Sequence, residues 1–428
     1  MAEKIPHVVI VGAGFGGLKA AKLLAGENIR VTLIDKENYH LFQPLLYQVA
    51  TSELSTNEIA YPIRSFFKTC RNVDFFMAEV TGFDTENKKV QTDRGDVDYD
   101  YLILAAGATT NFFGMETVEK NSYPMKSLPE ALLLRDHIIQ MFEQADRIDD
   151  PEVRKRLLTF ICVGGGPTGV EMAGALSELV YKVMEEDYHK FNFREVSIQL
   201  VEAMDSVLLM MPETLRKEAA DVLEHRLNVE VKLQAQVMDY DGQTLFLKDG
   251  TEIPTETVIW AAGVKAVPVI AKLGAETDRA GRVMVNEYLQ VKGFKEIFAI
   301  GDCAHFEQDG RPLATIAPVA TQQAIVCVQN LIKLINFNNE PWTPFEYKDV
   351  GSMATISNGQ AVVAMDTRMG KIQLTGFLAW MAWMVVHIAR LAGKYTNIVV
   401  IWKWLLNYFI DLRLGRIVIF KEKPKIEE

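Results

Sequence analysis

The chain has 428 residues, 49% of them hydrophobic, and a formal net charge of −11 at pH 7. This length predicts two or three domains rather than one, and the acidic balance argues against nucleic acid as a partner, because a phosphate-binding surface is basic. The charge is uneven: residues 371–428 hold 9 of the 45 Lys and Arg and 4 of the 56 Asp and Glu, a balance of +5, which leaves 36 against 52, or −16, for the rest.

The first predicted unit opens with a buried strand, a glycine turn and a helix, HVVIVGAGFGGLKAAKLLAG, at residues 7–26. Gly12, Gly14 and Gly17 have G-x-G-x-x-G spacing, in which the first glycine permits the tight turn, the second lets a pyrophosphate approach and the third lets helix and strand pack closely. Asp35 ends the next predicted strand, where a carboxylate can accept hydrogen bonds from a ribose diol. A glycine motif alone is weak evidence, but this succession of elements predicts a dinucleotide site.

Two further segments complete the first unit. HLFQPLLYQVATSEL, residues 40–54, is apolar and aromatic without a clear period and is predicted to be a loop. YDYLILAAGATT, residues 99–110, is predicted to be a strand that ends in a turn of small residues.

The pattern restarts after about 150 residues with LTFICVGGGPTGVEMAGALSEL, residues 158–179. Gly164, Gly166 and Gly169 repeat the glycine spacing, and Glu202 ends the following strand. An acid at that position favours NADH over NADPH, because it repels a 2′-phosphate. TVIWAAGV, residues 257–264, resembles the LILAAGA turn of the first unit. This alternation of strands and helices predicts an α/β fold with two Rossmann-like units and parallel sheets.

A late strand, IFAIGDCA at residues 297–304, is predicted to return to the first sheet, so that the second unit is inserted into a discontinuous first domain. Asp302 at its end is suited to reach the ribityl and pyrophosphate region of a flavin, which assigns FAD to the first loop and NAD(H) to the second. The predicted FAD domain comprises residues 1–115 and 285–340, and the predicted NAD(H) domain residues 116–284. Residues 341–428 are predicted to form a C-terminal membrane-association region.

The four cysteines are Cys70, Cys162, Cys303 and Cys327. They form no CxxC pair, and their spacing suits neither zinc nor a disulfide framework. The last three are predicted to be packing residues. This cysteine usage predicts a reducing, cytosolic environment, and an N-terminus that leads from MAEKIPH straight into a strand predicts no signal peptide.

These motifs resemble those of the two-dinucleotide-binding-domain flavoproteins, and among them type II NADH:quinone oxidoreductase, the single-subunit NADH dehydrogenase that does not pump protons. The segments that carry the resemblance span nearly the whole chain: VVIVGAGFGGL, HLFQPLLYQVAT, GATTNFFGM, VGGGPTGVEMAG, IFAIGDCA, APVATQQA, GSMATI and GFLAWMAWMVVH. The resemblance implies FAD-dependent oxidation of NADH with transfer of two electrons to a menaquinone or ubiquinone, by a peripheral homodimer at the cytoplasmic face of the cell membrane.

The resemblance also implies site residues. Glu171 is expected near the nicotinamide–flavin face, with a first-turn helix acid stabilised by the helix dipole as the alternative explanation. The family's quinone motif, A-Q-x-A-x-Q, is matched by Ala317, Ala320 and Gln322, whereas Pro318 replaces its first glutamine. Lys371 is expected along the quinone path, and no metal site is expected. Further contacts are expected at Phe15, Gly16, Lys36, Gly107 and Gln323 for FAD and at Thr168 and Gly263 for NAD(H).

Related flavoenzymes differ in their cysteines. Disulfide reductases of this fold carry a redox-active cysteine pair in the loop after the ribose-binding acid, and residues 36–69 contain no cysteine. Sulfide:quinone oxidoreductases carry reactive cysteines at the flavin. A sulfide:quinone oxidoreductase-like flavoenzyme, a flavin reductase for another acceptor and a non-catalytic flavin-bound redox sensor stay open as alternatives.

Two C-terminal segments predict amphipathic helices on an anionic bilayer surface. The first, residues 376–393, has an uninterrupted apolar stretch of only 11 residues, and about 20 are needed to cross a bilayer. Trp380, Trp383, Trp402 and Trp404 are expected on apolar faces, where tryptophan and basic residues suit the headgroup layer. Packing on the body or in a dimer interface, and a true membrane span, are the alternatives. Two polar stripes are expected, formed by His387, Arg390 and Lys394 and by Lys403, Asn407 and Asp411.

Overall fold

A computed structural model describes residues 5–336, 341–367, 370–410, 413 and 415–419 of the chain. The chain divides into two compact units. Unit 1 comprises Met1–Leu41, Ala60–Thr109 and Val264–Asp349. Unit 2 comprises Phe42–Ile59, Thr110–Gly263 and Val350–Glu428.

Unit 1 is built on a five-stranded parallel sheet. Continuous apolar runs form its central strands because both faces of a parallel sheet are covered. The late strand pairs in parallel with the strand of the LILAAGA motif, which confirms that the first sheet is completed from far along the chain. In spatial order the strands are Ile297–Ala299, Tyr101–Leu104, His7–Val11, Arg30–Asp35 and Val73–Met77.

The helices Phe15–Leu24 and Ala317–Ile335 of unit 1 pack against each other. Shorter 3₁₀ turns are Ile63–Phe66, Pro268–Leu273 and Gly301–Cys303. The remaining strands form small sheets: Tyr39–Leu41 with Ala60–Pro62; Val80–Asp84, Lys89–Thr92 and Val97–Asp98; Ala108–Thr110 with Val264–Ala266; Val283–Met284 with Ala304–His305; and Glu307–Gln308 with Arg311–Pro312.

Unit 2 contains a second five-stranded parallel sheet, as the repeated pattern predicts. Its strands in spatial order are Tyr123–Pro124, Thr257–Trp260, Thr159–Val163, Ser197–Val201 and Val229–Lys232. Two antiparallel three-stranded sheets accompany it: Val237–Tyr240, Thr244–Leu247 and Glu252–Pro254; and Ser352–Ser357, Gln360–Thr367 and Gly370–Thr375.

The helices of unit 2 include one that follows the second glycine loop, Pro167–Glu178, and continues as a π-helical turn, Leu179–Met184. The others are Leu46–Ala50, Thr56–Ile59, Glu116–Asn121, Leu128–Ala145, Pro151–Leu157, Glu185–Asp187, Glu213–Asp221 with the π-helical Val222–Arg226, Gly376–Arg390 and Lys394–Ile410, with 3₁₀ turns at Gln43–Leu45 and Phe193–Glu195. No helix in the described part of the chain combines the length and hydropathy that a bilayer crossing requires.

The residue bounds of the two compact units differ from those of the predicted domains. Residues 264–284 belong to unit 1, and residues 350–428 group with unit 2 instead of forming a third region. The segment predicted to be a loop, residues 40–54, contains the helix Leu46–Ala50, which packs on the Pro167–Glu178 and Leu128–Ala145 helices inside unit 2. These contacts join residues far apart in sequence, so local patterns did not predict them.

Close packing in unit 2 depends on Gly174 in the Pro167–Glu178 helix. The strand Ser352–Ser357 lies against this helix, and a Cβ at Gly174 would overlap the carbonyl oxygen of Ile356. A glycine there lets backbone approach backbone.

Candidate functional site

The first glycine loop has the shape of a phosphate cradle. Gly12 has φ +100°, and a Cβ there would overlap the carbonyl oxygen of Ala105. A Cβ at Gly17 would overlap the carbonyl oxygen of Gly12, so the helix starts in contact with the turn. Gly14 has no atom within 4 Å of its Cβ position, and no side chain caps the helix that follows. The open side of the loop therefore presents backbone N–H groups to an anion.

Asp35 is oriented by this loop. One carboxylate oxygen accepts a hydrogen bond from the Ala13 N–H at 2.6 Å, and the other accepts from the Glu37 N–H at 2.8 Å. Burial raises the pKa of Asp35, and the two N–H donors oppose that shift. The acid predicted to bind ribose is thus held in one orientation beside the turn.

The second loop, in unit 2, repeats these features. Gly164 has φ +112° and a Cβ position 3.0 Å from the Ala261 backbone, while Gly166 faces open space. Glu202 accepts hydrogen bonds from the Gly165 N–H and, at 2.8 Å, from the Met204 N–H. Its carboxylate is therefore held at the loop in the same way as that of Asp35.

The late strand of unit 1 leads into a tight turn at Gly301, where φ is +72°. The buried side chain of Gln323 accepts a hydrogen bond from the Gly301 N–H at 2.7 Å and so fixes the turn that carries Asp302. Asp302 lines a cavity of about 280 Å³ together with Ala108, Lys265 and other residues of unit 1. This arrangement places a carboxylate beside accessible space at the end of the sheet.

The quinone-motif residues begin the helix Ala317–Ile335. Pro318 lies in its first turn, where a missing N–H costs nothing because the first N–H groups of a helix have no helical partner. Ala320 packs beneath Gly301. Gln322 is engaged through both ends of its amide: it donates to the Lys348 carbonyl at 2.9 Å and accepts from the Lys348 N–H at 3.0 Å.

Glu171 is a buried acid of unit 2. It lies beyond the first turn of the helix Pro167–Glu178, so the alternative explanation by the helix dipole is wrong. It is 9% exposed and accepts a hydrogen bond from the Thr355 backbone. Burial raises the pKa of Glu171 well above its usual range, whereas the hydrogen bond from the Thr355 backbone opposes that shift.

The remaining predicted residues lie at varied positions. Lys371 is exposed on an outer strand, opposite Asp366. Phe15 forms an edge-to-face contact with His40, with ring centroids 5.2 Å apart. Gly16 is buried against Ile300, Lys36 and Thr168 are exposed, and Gly107 and Gly263 have φ values of +74° and +76°.

The three cysteines predicted to be packing residues are buried, which confirms that prediction. Burial raises the pKa of Cys162 to about 12 and that of Cys303 to about 11, and it also raises the pKa of Cys327. The Cys303 thiol lies against the carbonyls of Leu104 and Ile300, at 3.5 and 3.4 Å. These thiols are not activated nucleophiles, since the thiolate is the reactive form.

The C-terminal tryptophans were not all predicted correctly. Trp380, Trp383 and Trp404 are no more than 3% exposed, and only Trp402 is largely exposed, at 62%. The exposed apolar face of the two helices consists of Trp402 and eleven other residues: Phe377, Leu378, Met381, Val385, Ile398, Ile401, Leu405, Leu406, Tyr408, Phe409 and Ile410.

The first predicted polar stripe was also wrong. The helix Gly376–Arg390 ends before Lys394, which begins the next helix after Gly393, so His387, Arg390 and Lys394 do not share one helix. His387 stacks on Trp383 with ring centroids 4.1 Å apart, and its Nδ1 donates a hydrogen bond to the Trp383 carbonyl at 2.8 Å. Burial lowers the pKa of His387 to about 4.

The second stripe faces the protein instead of water. Lys403 forms an ion pair with Glu58 at 2.7 Å, and Asn407 is buried. Asp411 lies outside the described residues. Because Lys403 has its partner inside unit 2 and Asn407 is buried there, the helix Lys394–Ile410 turns apolar side chains outward.

Basic residues of the tail likewise have internal partners. Arg413 is fully buried, with hydrogen bonds to the carbonyls of Thr51 and Ala175 at 3.3 and 2.9 Å and an ion pair with Glu178 at 3.1 Å. Arg416 pairs with Asp187 at 3.0 Å. Part of the excess positive charge of residues 371–428 therefore lies in ion pairs with acidic residues of unit 2.

Sequence reasoning missed one group of residues. Tyr47, Gln48 and Trp404 form a buried hydrogen-bonded chain in unit 2. The segment HLFQPLLYQVAT was recognised as a motif, but its residues had no assigned role. Only the run of polar and aromatic residues within an apolar segment could have signalled this group.

Two parallel sheets, each with a glycine loop and an acid at the end of the next strand, define a protein with two nucleotide sites. The sequence profile of the pyridine nucleotide-disulphide oxidoreductases matches residues 6–324, so the chain belongs to that class. The type II NADH:quinone oxidoreductase Ndh of Mycobacterium tuberculosis is 39% identical over 426 residues, covering 96% of this chain and 90% of that protein. A type II NADH:quinone oxidoreductase of Haemophilus influenzae is 30% identical, covering 86% and 89%. Within the class, the chain belongs to the type II NADH:quinone oxidoreductase family.

Solved structures agree with this fold. The structure of NDH2 from Plasmodium falciparum in complex with NADH has a TM-score of 0.87 and 23% identity, covering 97% of this chain and all of that one. The sulfide:quinone oxidoreductase of Aquifex aeolicus is more distant, with a TM-score of 0.72 and 18% identity.

Proposed function

We propose that this protein oxidises NADH and reduces a membrane quinone to the quinol, with bound FAD and without pumping protons. The observation that carries the proposal is the pair of glycine loops, each with its own oriented acid, in a chain 39% identical to a type II NADH:quinone oxidoreductase. FAD supplies the capacity to accept a hydride equivalent from NADH and to pass two electrons onward. The overall reaction consumes NADH, one proton and a quinone and yields NAD⁺ and a quinol.

The residues of unit 1 fit FAD. The Gly12–Gly17 loop offers an open anion cradle, Asp35 is oriented beside it, and Asp302 borders a cavity at the end of the sheet. These groups would hold the pyrophosphate, the ribose and the ribityl region, respectively. The contacts assigned to FAD by resemblance are Phe15, Gly16, Lys36, Gly107 and Gln323.

Unit 2 fits NADH. The Gly164–Gly169 loop would hold the pyrophosphate, and Glu202 would accept hydrogen bonds from the adenosine ribose and repel a 2′-phosphate. Thr168 and Gly263 complete the contacts assigned by resemblance. Glu171, whose pKa is raised by burial, would hold a proton for the quinone reaction. Ala317, Ala320 and Gln322 would contact the quinone, with Lys371 on its path.

The alternative function, a sulfide:quinone oxidoreductase, needs a nucleophilic cysteine at the flavin. None of the buried cysteines of the two units is suited to that role. Cys162, Cys303 and Cys327 have raised pKa values, because burial disfavours their thiolates. Sulfide chemistry at a flavin requires a thiolate that can attack or be attacked. NADH, and not sulfide, is therefore the electron donor that these residues support.

The test of the function is NADH oxidation by the detergent-solubilised, FAD-loaded protein with menaquinone and ubiquinone analogues. We expect quinone-dependent NADH consumption with one quinol formed per NADH. Sulfide offered as the electron donor should give no turnover. Quinone reduction with sulfide and none with NADH would reject the proposal, and a tight NADH complex without quinone turnover would favour a redox sensor.

We also propose that the exposed apolar face of the C-terminal helices docks on the cytoplasmic surface of an anionic bilayer. Twelve large apolar side chains are exposed along Gly376–Arg390 and Lys394–Ile410, and Phe409, at 78%, is the most exposed of them. A contiguous apolar face that is exposed to water is unfavourable in free energy and marks an interaction site. A homodimer that presents two such faces to one bilayer stays a prediction.

Flotation with vesicles of anionic lipid tests this docking. Leu378→Glu and Phe409→Glu place charges on the face and should each weaken binding at least several-fold, because a charge opposes burial in the apolar layer. Met210→Glu changes an exposed methionine elsewhere in unit 2 and serves as the control. Equal flotation of all variants would show that this face does not bind the vesicles. If binding were lost only when anionic lipid is removed, charge and not the apolar face would be its cause.

A further inference from the structure

His40 of unit 1 is buried beside the first glycine loop, and its ring is hydrogen-bonded to that loop. Its Nδ1 lies 2.9 Å from the carbonyl oxygen of Ala13, the residue between the first two glycines of the motif. A carbonyl oxygen only accepts hydrogen bonds, so Nδ1 carries the hydrogen and donates it. His40 is 6% exposed, and a bond shielded from bulk water in this way is retained in the folded protein.

The orientation of the His40 ring is fixed by its neighbours in unit 1. Phe15 and Phe66 meet the ring edge to face, with ring centroids 5.2 and 6.2 Å away. The strand that carries His40, Tyr39–Leu41, pairs with the strand Ala60–Pro62. Backbone pairing and aromatic packing therefore hold the ring in the position from which it reaches the loop.

The imidazole of His40 acts on the loop as an uncharged group. Burial lowers the pKa of His40, the hydrogen bond to Ala13 opposes this shift, and the charge of Lys22 adds to it. The ordinary pKa of histidine already lies below 7. At pH 7 the ring is neutral, with its single hydrogen on Nδ1, so its effect on the loop is that of a fixed hydrogen-bond donor and not of a charge.

Ala13 is held at both of its backbone polar groups. Its N–H donates to the Asp35 carboxylate at 2.6 Å, and its carbonyl accepts the bond from His40. The peptide bond between Ala13 and Gly14 is trans, as in the rest of the described chain, so its C=O and N–H point in opposite directions. Because His40 holds the C=O on the buried side, the Gly14 N–H points to the open side of the loop.

Gly14 is a position where this restraint matters. Glycine lets the flanking backbone rotate with little steric cost, and a Cβ at Gly14 would meet no atom within 4 Å. Packing around Gly14 therefore does not select one orientation of the peptide. The hydrogen bond from His40 to the Ala13 carbonyl does select one, and it is the orientation that an anion on the open side requires.

We propose that His40 is a positioning residue for FAD, which holds the Ala13–Gly14 peptide so that the Gly14 N–H donates to the pyrophosphate. The inference rests on the proposed function, in which the first glycine loop binds FAD. A hydrogen bond to an anion is stronger than one between neutral groups, so the direction of this N–H matters for affinity. His40 acts through the backbone of Ala13 and takes no part in electron transfer.

Three substitutions of His40 separate its hydrogen bond from the rest of its side chain. The amide nitrogen of asparagine is as many bonds from Cβ as Nδ1 of histidine, so His40→Asn can keep the bond to Ala13. The amide nitrogen of glutamine is one bond further away, where histidine has Nε2, so His40→Gln loses the bond. His40→Leu removes every polar atom of the side chain.

The experiment is a dilution series of the full-length, FAD-loaded protein, with free FAD separated by ultrafiltration and measured by fluorescence. His40→Leu and His40→Gln should bind FAD about tenfold more weakly, because one charge-assisted hydrogen bond is no longer oriented. His40→Asn should stay within about threefold of the wild type, because it keeps the donor. A role in packing alone would give the opposite order, since glutamine is closer than asparagine to histidine in size.

His7→Leu is the matched control. His7 begins the strand that leads into the loop, at the end away from the loop, and its Nε2 lies 2.8 Å from the Thr32 hydroxyl. Loss of that bond should leave FAD affinity at the wild-type value. Equal release of FAD from His7→Leu would overturn the inference, because general destabilisation would then be the cause. FAD binding by His40→Gln that is as tight as by His40→Asn would also overturn it, and this comparison decides even if His40→Leu does not fold.

Gly12→Ala separates this inference from the proposed function. If Gly12→Ala keeps the wild-type affinity for FAD, the assignment of FAD to the first loop fails. If Gly12→Ala loses FAD while His40→Leu and His40→Gln bind it as tightly as the wild type, only the role of His40 is rejected.

Discussion

Single glycines determine the form of each nucleotide loop at the residue scale. Gly12 and Gly164 have φ values of +100° and +112°, and both approach the backbone that follows another strand of their sheet. A side chain at Gly12 would meet the Ala105 carbonyl in addition to the strain of positive φ. Gly26 has φ +89° but faces open space. A substitution at Gly26 therefore shows the effect of a positive φ without the effect of a steric clash.

We expect Gly12→Ala to lose most of its bound FAD, because the loop must move to admit the methyl group. Gly26→Ala should cost about 1 kcal/mol of stability from positive φ alone and retain FAD. FAD content per chain, from visible absorbance after gel filtration, measures the difference. Wild-type FAD content in Gly12→Ala would contradict this account of the loop.

The buried cysteines allow a chemical prediction. Burial raises the pKa of Cys303 to about 11 and that of Cys162 to about 12, so the reactive thiolate is scarce below those values. Iodoacetamide at pH 8 should therefore label the half-exposed Cys70 and leave NADH:quinone turnover intact. Mass spectrometry of the labelled protein checks this, and rapid loss of activity with label on Cys303 would show an activated thiol.

At the scale of elements, the C-terminal helices are anchored by polar contacts. Lys403 pairs with Glu58, Trp404 bonds to Gln48, and Arg413 pairs with Glu178. Such partners draw the polar side of the helix Lys394–Ile410 inward. The apolar side is left exposed, which reverses the usual arrangement of a surface helix.

Arg413→Met should destabilise unit 2 by about 3 kcal/mol, because it removes the fully buried guanidinium group that pairs with the buried Glu178 carboxylate. Adding Glu178→Gln should recover part of this loss. Arg416→Met removes a more exposed pair with Asp187 and should cost less than about 1 kcal/mol. Urea unfolding followed by circular dichroism measures all three. Equal losses for both arginines would mean that burial of the pair is unimportant.

At the scale of the whole molecule, two loops of the same form are proposed to bind different nucleotides. Asp35 and Glu202 hold equivalent positions, each anchored by two backbone N–H groups. What distinguishes the sites is the late strand with Asp302, which joins the sheet of unit 1. The two acids can therefore be changed independently.

Glu202→Gln should tighten NADPH binding about tenfold, equivalent to about 1.4 kcal/mol, because it removes the charge that repels the 2′-phosphate. FAD content should be unchanged. Asp35→Asn should lower FAD content and leave the ratio of NADH to NADPH affinity as in the wild type. Fluorescence titration and visible absorbance give the two readouts. A change of nucleotide preference in Asp35→Asn would reverse the assignment of the loops.

Much of the fold was predictable because its determinants are local. The glycine spacing, the buried strands and the acids at strand ends are read from short segments, and the loops, both sheets and Asp35 and Glu202 follow from them. Tyr47 could not be assigned in this way. It is buried in a hydrogen-bonded chain with Gln48 and Trp404, and Trp404 lies far from it in sequence.

The sequence by itself determined two dinucleotide loops, a first sheet completed by a late strand, and cysteines suited to packing. Each depends on backbone geometry or apolar periodicity within a few residues. Only the tertiary structure decided which face of the C-terminal helices is covered and which acids are buried beside Tyr47. The physical reason is that a polar side chain points inward only where a partner from a distant segment compensates for its lost hydration, and such partners are brought together by folding.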